Sequence, residues 1–382
     1  MEVRFDVRWF RVRRLREVGT RLVLAATRRI VLGFAERGAE SSRRGFDSSY
    51  PLSPLPGDRF YGWTHYGVMI PNLAAPHQYL SVMVMAGMPG QRAFDVDDVV
   101  TTTPRDTATV SISTAAAAYY GTVSLGDDCA FGSAGDDLHF GAELTIGGRY
   151  PELFVAIDVP GLTARLRFAL AERATWFVRG RPYDHLSLLG RYTGWIRTSD
   201  ARVDVSGAGN IEYARCVGPY ALRDRLLPWR YKAPVDFFTY HVVELSADAQ
   251  LLFCRVGILG DRVGDLVQFR TQSGDGDWRV NEVATDRTFY EVLEYQDLPT
   301  VDSVGRHEML MPRRFRLGVR DRVTVIGTYD TPGRFGVGLG YIAGYRAQVD
   351  IAGRHIDTRG YAEYVDVTDE GTRRLSGGEF AG

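Results

Sequence analysis

Lysine is almost absent from this 382-residue chain, and neither sign of charge dominates it. Of the 46 lysine and arginine residues only one, Lys232, is a lysine, and 47 acidic residues bring the formal net charge to -1. This balance excludes a protein that binds nucleic acid through overall basicity. Hydrophobic residues at 45% and charged residues at 24% exclude a mainly disordered chain, and the length favours two domains.

Cysteine and long apolar runs are also scarce. Cys129, Cys216 and Cys254 are odd in number and widely spaced, so the sequence predicts neither a disulfide framework nor a zinc knuckle. A reducing, cytoplasmic location fits this pattern best. No run reaches eighteen uncharged apolar residues, and the apolar stretch 22–26 is shorter than a secretory core. We therefore expect no membrane span and no signal peptide.

Positive charge is concentrated near the N-terminus. Residues 1–45 hold twelve arginines against five acids, a net of +7, which leaves the remaining chain at -8. Apolar residues at helical spacing predict an amphipathic helix over residues 10–36, with Leu15, Val18, Leu22, Ala26, Ile30 and Phe34 on one stripe. Two interpretations stand side by side. Residues 8–36 contact an anionic membrane surface peripherally, or the helix closes the open end of a barrel with its arginines in water.

Beyond the linker at 41–56 the pattern changes to short runs of alternating apolar residues. The run from Leu162 to Leu170 is the clearest, because every second residue is apolar, as in a strand with one buried face. Similar runs occur at 79–85, 153–159, 242–256, 265–271 and 323–329, with turn signals at 135–137, 147–148 and 274–276. No run precedes a long amphipathic helix, which excludes βαβ units and leaves an antiparallel sandwich or barrel.

Two stretches of the chain resemble each other. Residues 192–213 read YTGWIRTSDARVDVSGAGNIEY, and residues 341–364 read YIAGYRAQVDIAGRHIDTRGYAEY. Each opens with Tyr before a Gly-aromatic pair, contains Val-Asp and ends in Glu-Tyr, although the Val-Asp pair is displaced between the copies. The repeat predicts two similar antiparallel barrels in tandem, at 46–214 and 215–382, the second with a short C-terminal tail; helix and linker occupy 1–45.

On these motifs the chain resembles the tandem lipocalin-like superfamily that includes AttH-like proteins, carotenoid 1,2-hydratases and certain fungal Diels-Alderases, over roughly residues 46–366. The resemblance implies an all-β fold of two tandem antiparallel lipocalin-like (calycin) β-barrels preceded by the amphipathic helix. It also implies a pocket for a hydrophobic small molecule, such as an isoprenoid, polyketide or lipid, in one barrel or between the two. Known activities of the group are hydration, cyclisation and cycloaddition without a cofactor, so we expect no cofactor.

One departure from the group concerns histidine. The end of the first barrel in the hydratases carries Gly-Tyr-His-Asp-His before a Trp, where this chain has Gly209-Asn210-Ile211-Glu212-Tyr213. The second copy, 360–364, likewise keeps an acid and an aromatic residue without histidine. Loss of the flanking imidazoles makes the sequence more similar to actinobacterial members of the group, and the preference for arginine over lysine is typical of a GC-rich genome.

Glu212 and Asp236 are the candidate catalytic residues. A carboxyl group in an apolar barrel has a raised pKa, so Glu212 is expected to stay protonated and to deliver a proton to an alkene or epoxide. Aromatic faces would stabilise the positive charge that follows. The candidate ligand-binding residues are Trp195, Tyr213, Trp229, Tyr240, His241, Glu363 and Tyr364. Because Glu-Tyr occurs in both copies, the alternative is an architectural Glu that accepts hydrogen bonds from Arg or from backbone amides.

The segment 226–244 joins the two predicted barrels and is rich in aromatic and charged residues. In a strand, Asp236 and Tyr240 lie on the same face, so we expect both to point into an inter-barrel cleft. Lys232 is expected to be an exposed linker cation and not a Schiff-base nucleophile.

Histidines and glycines give no metal or phosphate motif. His65 and His77 flank an apolar early strand, and His185 follows Asp184, whose side chain would face away from the imidazole on a strand. Without His-x-His or HExxH spacing, structural histidines and no metal site are expected. The alternating glycines at 336–340 are followed by residues with a strand pattern and not by the start of a helix, which excludes a phosphate loop. Such glycines favour a bent strand or room for a ligand.

Two functions follow from these patterns. The first is binding of a hydrophobic small molecule, with cofactor-free hydration, cyclisation or isomerisation as the chemistry. The second is a non-catalytic lipid carrier or membrane-surface scaffold that docks through residues 8–36. No nucleic-acid partner is expected, and the sequence leaves the oligomeric state open.

Overall fold

The computed structural model describes residues 29, 33–132, 135–199, 201–272, 278–283 and 287–375. Within them the protein consists of an eleven-stranded sheet, a ten-stranded sheet and a two-stranded ribbon, and all strand pairs in the three sheets are antiparallel. The two sheets form tandem lipocalin-like barrels, the first nearly closed and the second a half-barrel, which confirms the predicted fold class. No helix among these residues is both long enough and apolar enough to cross a membrane.

The first sheet contains strands β1 to β11. Their bounds are β1 Tyr61–Ile70, β2 Leu80–Ala86, β3 Thr107–Ser113, β4 Ala118–Ser124, β5 Cys129–Phe131, β6 Asp137–Phe140, β7 Leu144–Arg149, β8 Glu152–Val159, β9 Leu162–Gly180, β10 Tyr183–Arg197 and β11 Arg202–Val217. Their order across the sheet is β4-β3-β2-β1-β11-β10-β9-β8-β7-β6-β5. The short connection 125–128 joins β4 to β5, the two edge strands, so the edges meet and the sheet curls into a barrel.

The second sheet and the ribbon contain the remaining strands. Their bounds are β12 Val235–Ser246, β13 Ala249–Ile258, β14 Asp261–Gln272, β15 Trp278–Val283, β16 Thr288–Tyr295, β17 Thr300–Val301, β18 Glu308–Met309, β19 Pro312–Val319, β20 Val323–Tyr329, β21 Arg334–Val337, β22 Gly340–Ile351 and β23 Arg354–Asp366. The order is β15-β14-β13-β12-β23-β22-β20-β19-β16, with β21 paired to β22, while β17 and β18 form the ribbon.

Helices are short in the described part of the chain. Residues 33–42 are helical (α1), and α2 spans Asp369–Leu375. Single 3-10 turns lie at Asp97–Val99, Pro219–Ala221 and Trp229–Tyr231. The predicted helix at 10–36 is confirmed only at its described end, which continues to residue 42; its other residues, apart from 29, and the basic segment 8–28 lie outside the described residues.

Strand positions follow the alternation in the sequence. β9 begins at Leu162 and buries every second side chain up to Leu170, as its pattern predicts. The predicted run 242–256 is instead two strands, β12 and β13, because residues 247–248 form a tight turn. The predicted turn at 147–148 lies inside β7, where Gly147 leaves room for the ring of Phe154. The turn predicted at 274–276 lies outside the described residues.

The sequence repeat marks the hairpin that closes each sheet. β10 and β11 form the first hairpin, β22 and β23 the second, and in each half the last strand pairs with the first, β11 with β1 and β23 with β12. The Glu-Tyr ends occupy matching places on β11 and β23. The Gly-aromatic pairs do not occupy matching places. Gly194 pairs with Val205, seven residues before Glu212 on β11, whereas Gly344 pairs with Tyr361, only two residues before Glu363 on β23.

Three large apolar clusters, and a small one at Leu189 and Ala208, fill the described part of the molecule. One lies inside the first barrel and includes Tyr66, Leu188 and Tyr213, and one lies inside the second sheet. The third, which we call the seam, lies between the two halves; its buried members include Met69, Met83, Phe177, Tyr240, Val242, Ile342, Tyr361 and Val365. Residues of β1 and β11 alternate between the first interior and the seam, so this wall of the barrel is buried on both faces.

The residues after α1 cross one end of the first barrel. Ser42 accepts a hydrogen bond from the Trp176 amide through its Oγ at 2.8 Å, and the Phe46 amide donates to Glu172 at 2.7 Å. Both contacts hold residues 42–46 against β9. Segment 46–53 then continues over the barrel end and lines a cavity there. Whether the helix itself closes the barrel stays a prediction, because most of it lies outside the described residues.

The alternating glycines at 336–340 serve close packing between the halves. β21 lies against β3, and a Cβ at Gly336 would approach Ser111 Oγ to 1.9 Å. Gly338 has φ +55°, and a Cβ there would lie 2.4 Å from the carbonyl oxygen of Ala93. These residues form a tight turn against the first barrel, in agreement with the exclusion of a phosphate loop.

We expect Gly338→Ala to destabilise the protein by about 1–3 kcal/mol, because it adds a steric clash to an unfavourable positive φ. Gly353→Ala is the matched control, since Gly353 also has a positive φ, +76°, but open space around it. Chemical denaturation of both variants measures the difference. Equal losses of stability would show that the contact with Ala93 contributes nothing.

Candidate functional site

A cavity of about 550 Å³ lies in the first barrel. Its apolar and aromatic lining consists of Phe46, Tyr50, Leu52, Tyr66, Leu138, Ile146, Tyr150, Leu153, Leu188, Ile211 and Tyr213. The volume falls in the range of small-molecule pockets, and an apolar lining with a few polar groups is their usual composition. Segment 46–53 lines the cavity and covers it at one end of the barrel.

Tyrosine hydroxyls connect the cavity wall to that segment. Tyr66 donates to the Leu52 carbonyl at 2.8 Å, and Tyr213 donates to the Ser53 carbonyl at 3.0 Å. Tyr50 donates to Asp184 at 2.8 Å. The cavity thus has aromatic faces on β1 and β11 whose polar ends also hold its cover in place.

A group of titratable side chains lies on the opposite face of the same wall. His65 on β1 and His185 on β10 both pair with Ala214 on β11, and one row further along the strands Gly67 and Ser187 both pair with Glu212. Paired residues share a face of a sheet. The small Ala214 therefore leaves a space between two imidazoles, and Glu212 reaches this space from the next row.

The distances in this group are short. His185 Nε2 lies 3.5 Å from Glu212 Oε2, and Tyr240 donates to Glu212 Oε1 at 2.6 Å across the seam. His65 donates through Nδ1 to the Val84 carbonyl at 3.0 Å. Glu212 and His65 are buried, while the His185 side chain keeps 21% of its surface exposed. The imidazoles that the sequence lacks beside Glu212 are therefore supplied by the two neighbouring strands.

The electrostatics of Glu212 contradict the expected protonated acid. Burial would raise its pKa, but the hydrogen bond and charge of His185, with contributions from Tyr240 and His65, stabilise the carboxylate, and the pKa of Glu212 is lowered from its ordinary value. Burial lowers the pKa of His65 to about 4, and His185 adds to the shift while Glu212 opposes it. Glu212 is thus a buried carboxylate beside a neutral His65.

Glu363 has the property that was expected of Glu212. Burial raises its pKa to about 8; the hydrogen bond from Tyr361, 2.7 Å long, opposes the shift, and the charge of Glu212 adds to it. Tyr361 also contacts Ser81 of the first half at 3.1 Å. Because Glu212 and Glu363 occupy matching places on the two closing strands, the halves present one ionised and one protonated carboxyl group to the seam at neutral pH.

A buried arginine crosses the seam close to these groups. Arg270 on β14 is 1% exposed and donates to Ser187 Oγ at 3.0 Å and to Gln250 Oε1 at 2.7 Å. Burial lowers the pKa of Arg270 to about 10, and nearby Tyr240 and Glu212 oppose the shift. Its guanidinium is directed at neutral oxygens, which leaves Glu212 Oε2 facing the histidines.

Asp236 and Tyr240 do not meet as predicted. Tyr240 lies in the seam on Glu212, whereas Asp236 Oδ2 accepts the Gly260 amide at 2.8 Å in the turn between β13 and β14. A bulge between Val235 and Phe237 interrupts the alternation on which the expectation rested.

The other predicted ligand-binding residues are scattered. Trp195 lies eight residues along β10 from Ser187, among the guanidiniums of Arg165, Arg197 and Arg202, so it is remote from Glu212. Trp229 is 46% exposed and stacks with Arg92. The remaining two, His241 and Tyr364, are buried.

His241 and Tyr364 lie in the second half. His241 lies inside the second sheet, where its Nε2 is 2.9 Å from the Thr239 hydroxyl, and burial lowers the pKa of His241 to about 3. Tyr364 donates to Asp366 at 3.3 Å. Of the predicted site residues, Tyr213 lines the cavity, while Glu212, Tyr240, Glu363 and Tyr364 lie in the seam.

Sequence reasoning missed His65, His185 and Arg270 as a group. His77 is not part of it, and Asp184 binds Arg215 and Tyr50 on the other face from His185, as the strand parity predicts. The only local signal was the alternation of side chains along a strand, by which residues two apart face the same side of the sheet. This holds for the pairs His65 and Gly67, His185 and Ser187, and Glu212 and Ala214.

Two tandem antiparallel sheets, in each of which the first strand pairs with the last, form a tandem lipocalin-like fold. The chain belongs to the protein family described as "Family of unknown function (DUF6670)", whose model matches residues 83–376. No curated protein matches the sequence.

Two solved structures share the architecture. A candidate AttH from Nitrosomonas europaea is 11% identical, with a TM-score of 0.53 over 85% of this chain and 98% of the other. Kievitone hydratase from Nectria haematococca is 9% identical, with a TM-score of 0.50 over 86% and 97% of the two chains. At this identity the similarity establishes the fold.

Proposed function

We propose that the protein binds a hydrophobic small molecule, an isoprenoid, polyketide or lipid, inside the first barrel. The cavity of about 550 Å³ with its aromatic and aliphatic lining carries this proposal. A flexible apolar ligand would lie against Tyr66 and Tyr213 with its tail among Leu188 and Ile146. Segment 46–53 would exclude water above it.

Cofactor-free hydration, cyclisation or isomerisation of the bound molecule is the finer function that we propose to test. The name of kievitone hydratase describes addition of water by a protein of the same fold. In this chain the groups suited to acid-base chemistry, Glu212 and Glu363, contact the seam residues Tyr240 and Tyr361. Glu212 is also among the residues that line the cavity, but its carboxylate faces the seam. Binding inside the barrel therefore has the stronger support, and a conversion would require the substrate to reach the seam.

Binding is tested with substitutions that fill the cavity. Ile146 lines it, whereas the adjacent Thr145 faces the other side of β7. We expect Ile146→Trp combined with Leu188→Trp to weaken binding of a fluorescent polyene fatty acid by more than about tenfold, or about 1.4 kcal/mol. Thr145→Trp should bind as the unmodified protein does. Equal affinity in all three proteins would place the probe outside the barrel.

Mass spectrometry of molecules that co-purify with the protein distinguishes carriage from conversion. A molecule released unchanged after incubation supports a carrier, and a gain of one water or a rearranged skeleton supports an enzyme. Membrane contact through residues 8–36 stays a prediction, for which binding to anionic vesicles with and without residues 1–45 is the measurement.

A further inference from the structure

His65, His185 and Glu212 each offer one ligand atom, and these three atoms all lie within 4.8 Å of one another. They belong to three adjacent strands, β1, β10 and β11. Their convergence does not depend on the cavity inside the barrel, because it lies on the seam face of the same wall.

The strand register explains why the side chains meet. Strands β1 and β10 lie on either side of β11, so His65 and His185 are separated by two strand spacings, about 9.6 Å between their backbones. Two imidazoles that lean toward each other across Ala214 can hold an ion between them. Gly67 contributes space, since a Cβ there would lie 3.2 Å from His65 Nε2 and 2.5 Å from Met69 Cε.

Hydrogen bonds orient both imidazoles for coordination. His65 Nδ1 carries the proton donated to the Val84 carbonyl, so its Nε2 has a free lone pair. His185 Nδ1 lies 3.0 Å from the Tyr183 hydroxyl, and its Nε2 faces Glu212 Oε2 at 3.5 Å. A second hydrogen bond on the nitrogen opposite the ligand atom is the usual support of a metal-bound histidine.

The carboxylate completes the set. The Tyr240 hydroxyl donates a hydrogen bond to Glu212 Oε1, while Oε2 of the same carboxylate lies 3.5 Å from His185 Nε2. Tetrahedral bonds of about 2.1 Å place neighbouring ligand atoms about 3.4 Å apart, close to this separation. Arg270 donates to Ser187 and Gln250, so it does not occupy Oε2.

We propose that His65, His185 and Glu212 form a binding site for one divalent transition-metal ion, of the two-histidine, one-carboxylate type. Two imidazoles and one carboxylate are a donor set that Zn²⁺ accepts, with a fourth position left for water or a ligand. The partly exposed side chain of His185 gives the ion a route from solvent.

The test uses the full-length protein, stripped with a chelator and titrated with Zn²⁺ and separately with Co²⁺. Calorimetry should give one ion per chain, and Co²⁺ should develop the visible d–d absorption of a low-symmetry site. Glu212→Gln, which keeps the shape of the side chain, and His65→Ala should each weaken binding by more than about 100-fold. Tyr183→Phe, which removes only a supporting hydrogen bond, should weaken it by roughly 10- to 100-fold.

His355→Ala is the matched control, because His355 is exposed beside Asp350 and represents adventitious surface binding. This variant should bind Zn²⁺ at the seam with the same affinity as the unmodified protein. Absence of Zn²⁺ binding to the unmodified protein overturns the proposal, as does binding that Glu212→Gln and Tyr183→Phe leave intact. Far-ultraviolet circular dichroism of each variant verifies that the sheet is kept, and Tyr183→Phe tests the site even where a ligand variant fails to fold.

Discussion

Lys232→Met is expected to destabilise the protein by about 3–5 kcal/mol, the cost of breaking a buried ion pair by removing one partner. The Lys232 side chain has no exposed surface, and its Nζ lies 3.2 Å from Asp95 Oδ2 and also contacts Asp97. This contradicts the expectation of an exposed linker cation. Without the ammonium, Asp95 would stay buried with an uncompensated charge.

Asp95 is held in the fold by more than the lysine. It accepts the Gly90 amide at 2.8 Å, and Tyr220 donates to it at 3.0 Å. Burial raises the pKa of Asp95, with the charge of Lys232 opposing the rise. The ion pair therefore ties the linker between the halves, 218–234, to the loop that follows β2.

Chemical denaturation of Lys232→Met and of Arg230→Met measures the effect, because Arg230 is an exposed cation two residues away. The Arg230 variant should change the free energy of unfolding by less than about 1 kcal/mol. Adding Asp95→Asn to Lys232→Met should restore part of the loss, since the unpaired charge is removed. Two equally stable single variants would refute a structural role for the buried pair.

Glu363→Gln is expected to remove a large pH dependence of stability. The pKa of Glu363 is about 8 in the folded protein against an ordinary value of 4.5. Between these values the folded state keeps a proton that the unfolded state has released, so stability falls as the pH rises from about 4.5 to about 8. Integrated over that window, the loss is on the order of 5 kcal/mol.

Unfolding measured at about pH 5 and about pH 8 isolates this contribution when the variant is compared with the unmodified protein. The difference in stability between the two proteins should move in favour of the glutamine variant as the pH rises. His65 and His241, whose pKa values are lowered by burial, affect both proteins equally. Glu291→Gln, an exposed partner of Arg316, is the control and should not alter the profile. Parallel profiles for the Glu363 variant would show that its carboxyl group titrates normally.

The sequence predicts the parts of this fold that local alternation encodes. Leu162 to Leu170 alternates because one face of β9 is buried, and the repeated Glu-Tyr ends identify β11 and β23 as equivalent strands. Glu212 and Glu363 were found in this way. Their opposite pKa shifts were not, because each depends on partners from other strands.

The contacts that the sequence could not predict depend on pairing between strands that are distant along the chain. His65 and His185 are brought to Glu212 by the register of β1 and β10 against β11, and no spacing along the chain records that register. Lys232 gave one usable signal. It is the single lysine among 46 lysine and arginine residues, and its ammonium is buried against Asp95 and Asp97.

The pairing of first with last strand in each half also sets the order of assembly. β1 cannot gain its partner β11 until about residue 217 has left the ribosome, so the first barrel closes late in its own synthesis. β12 begins at Val235, only after that point, and waits in turn for β23. The strands of the first half can therefore complete their pairing before those of the second half have been synthesised.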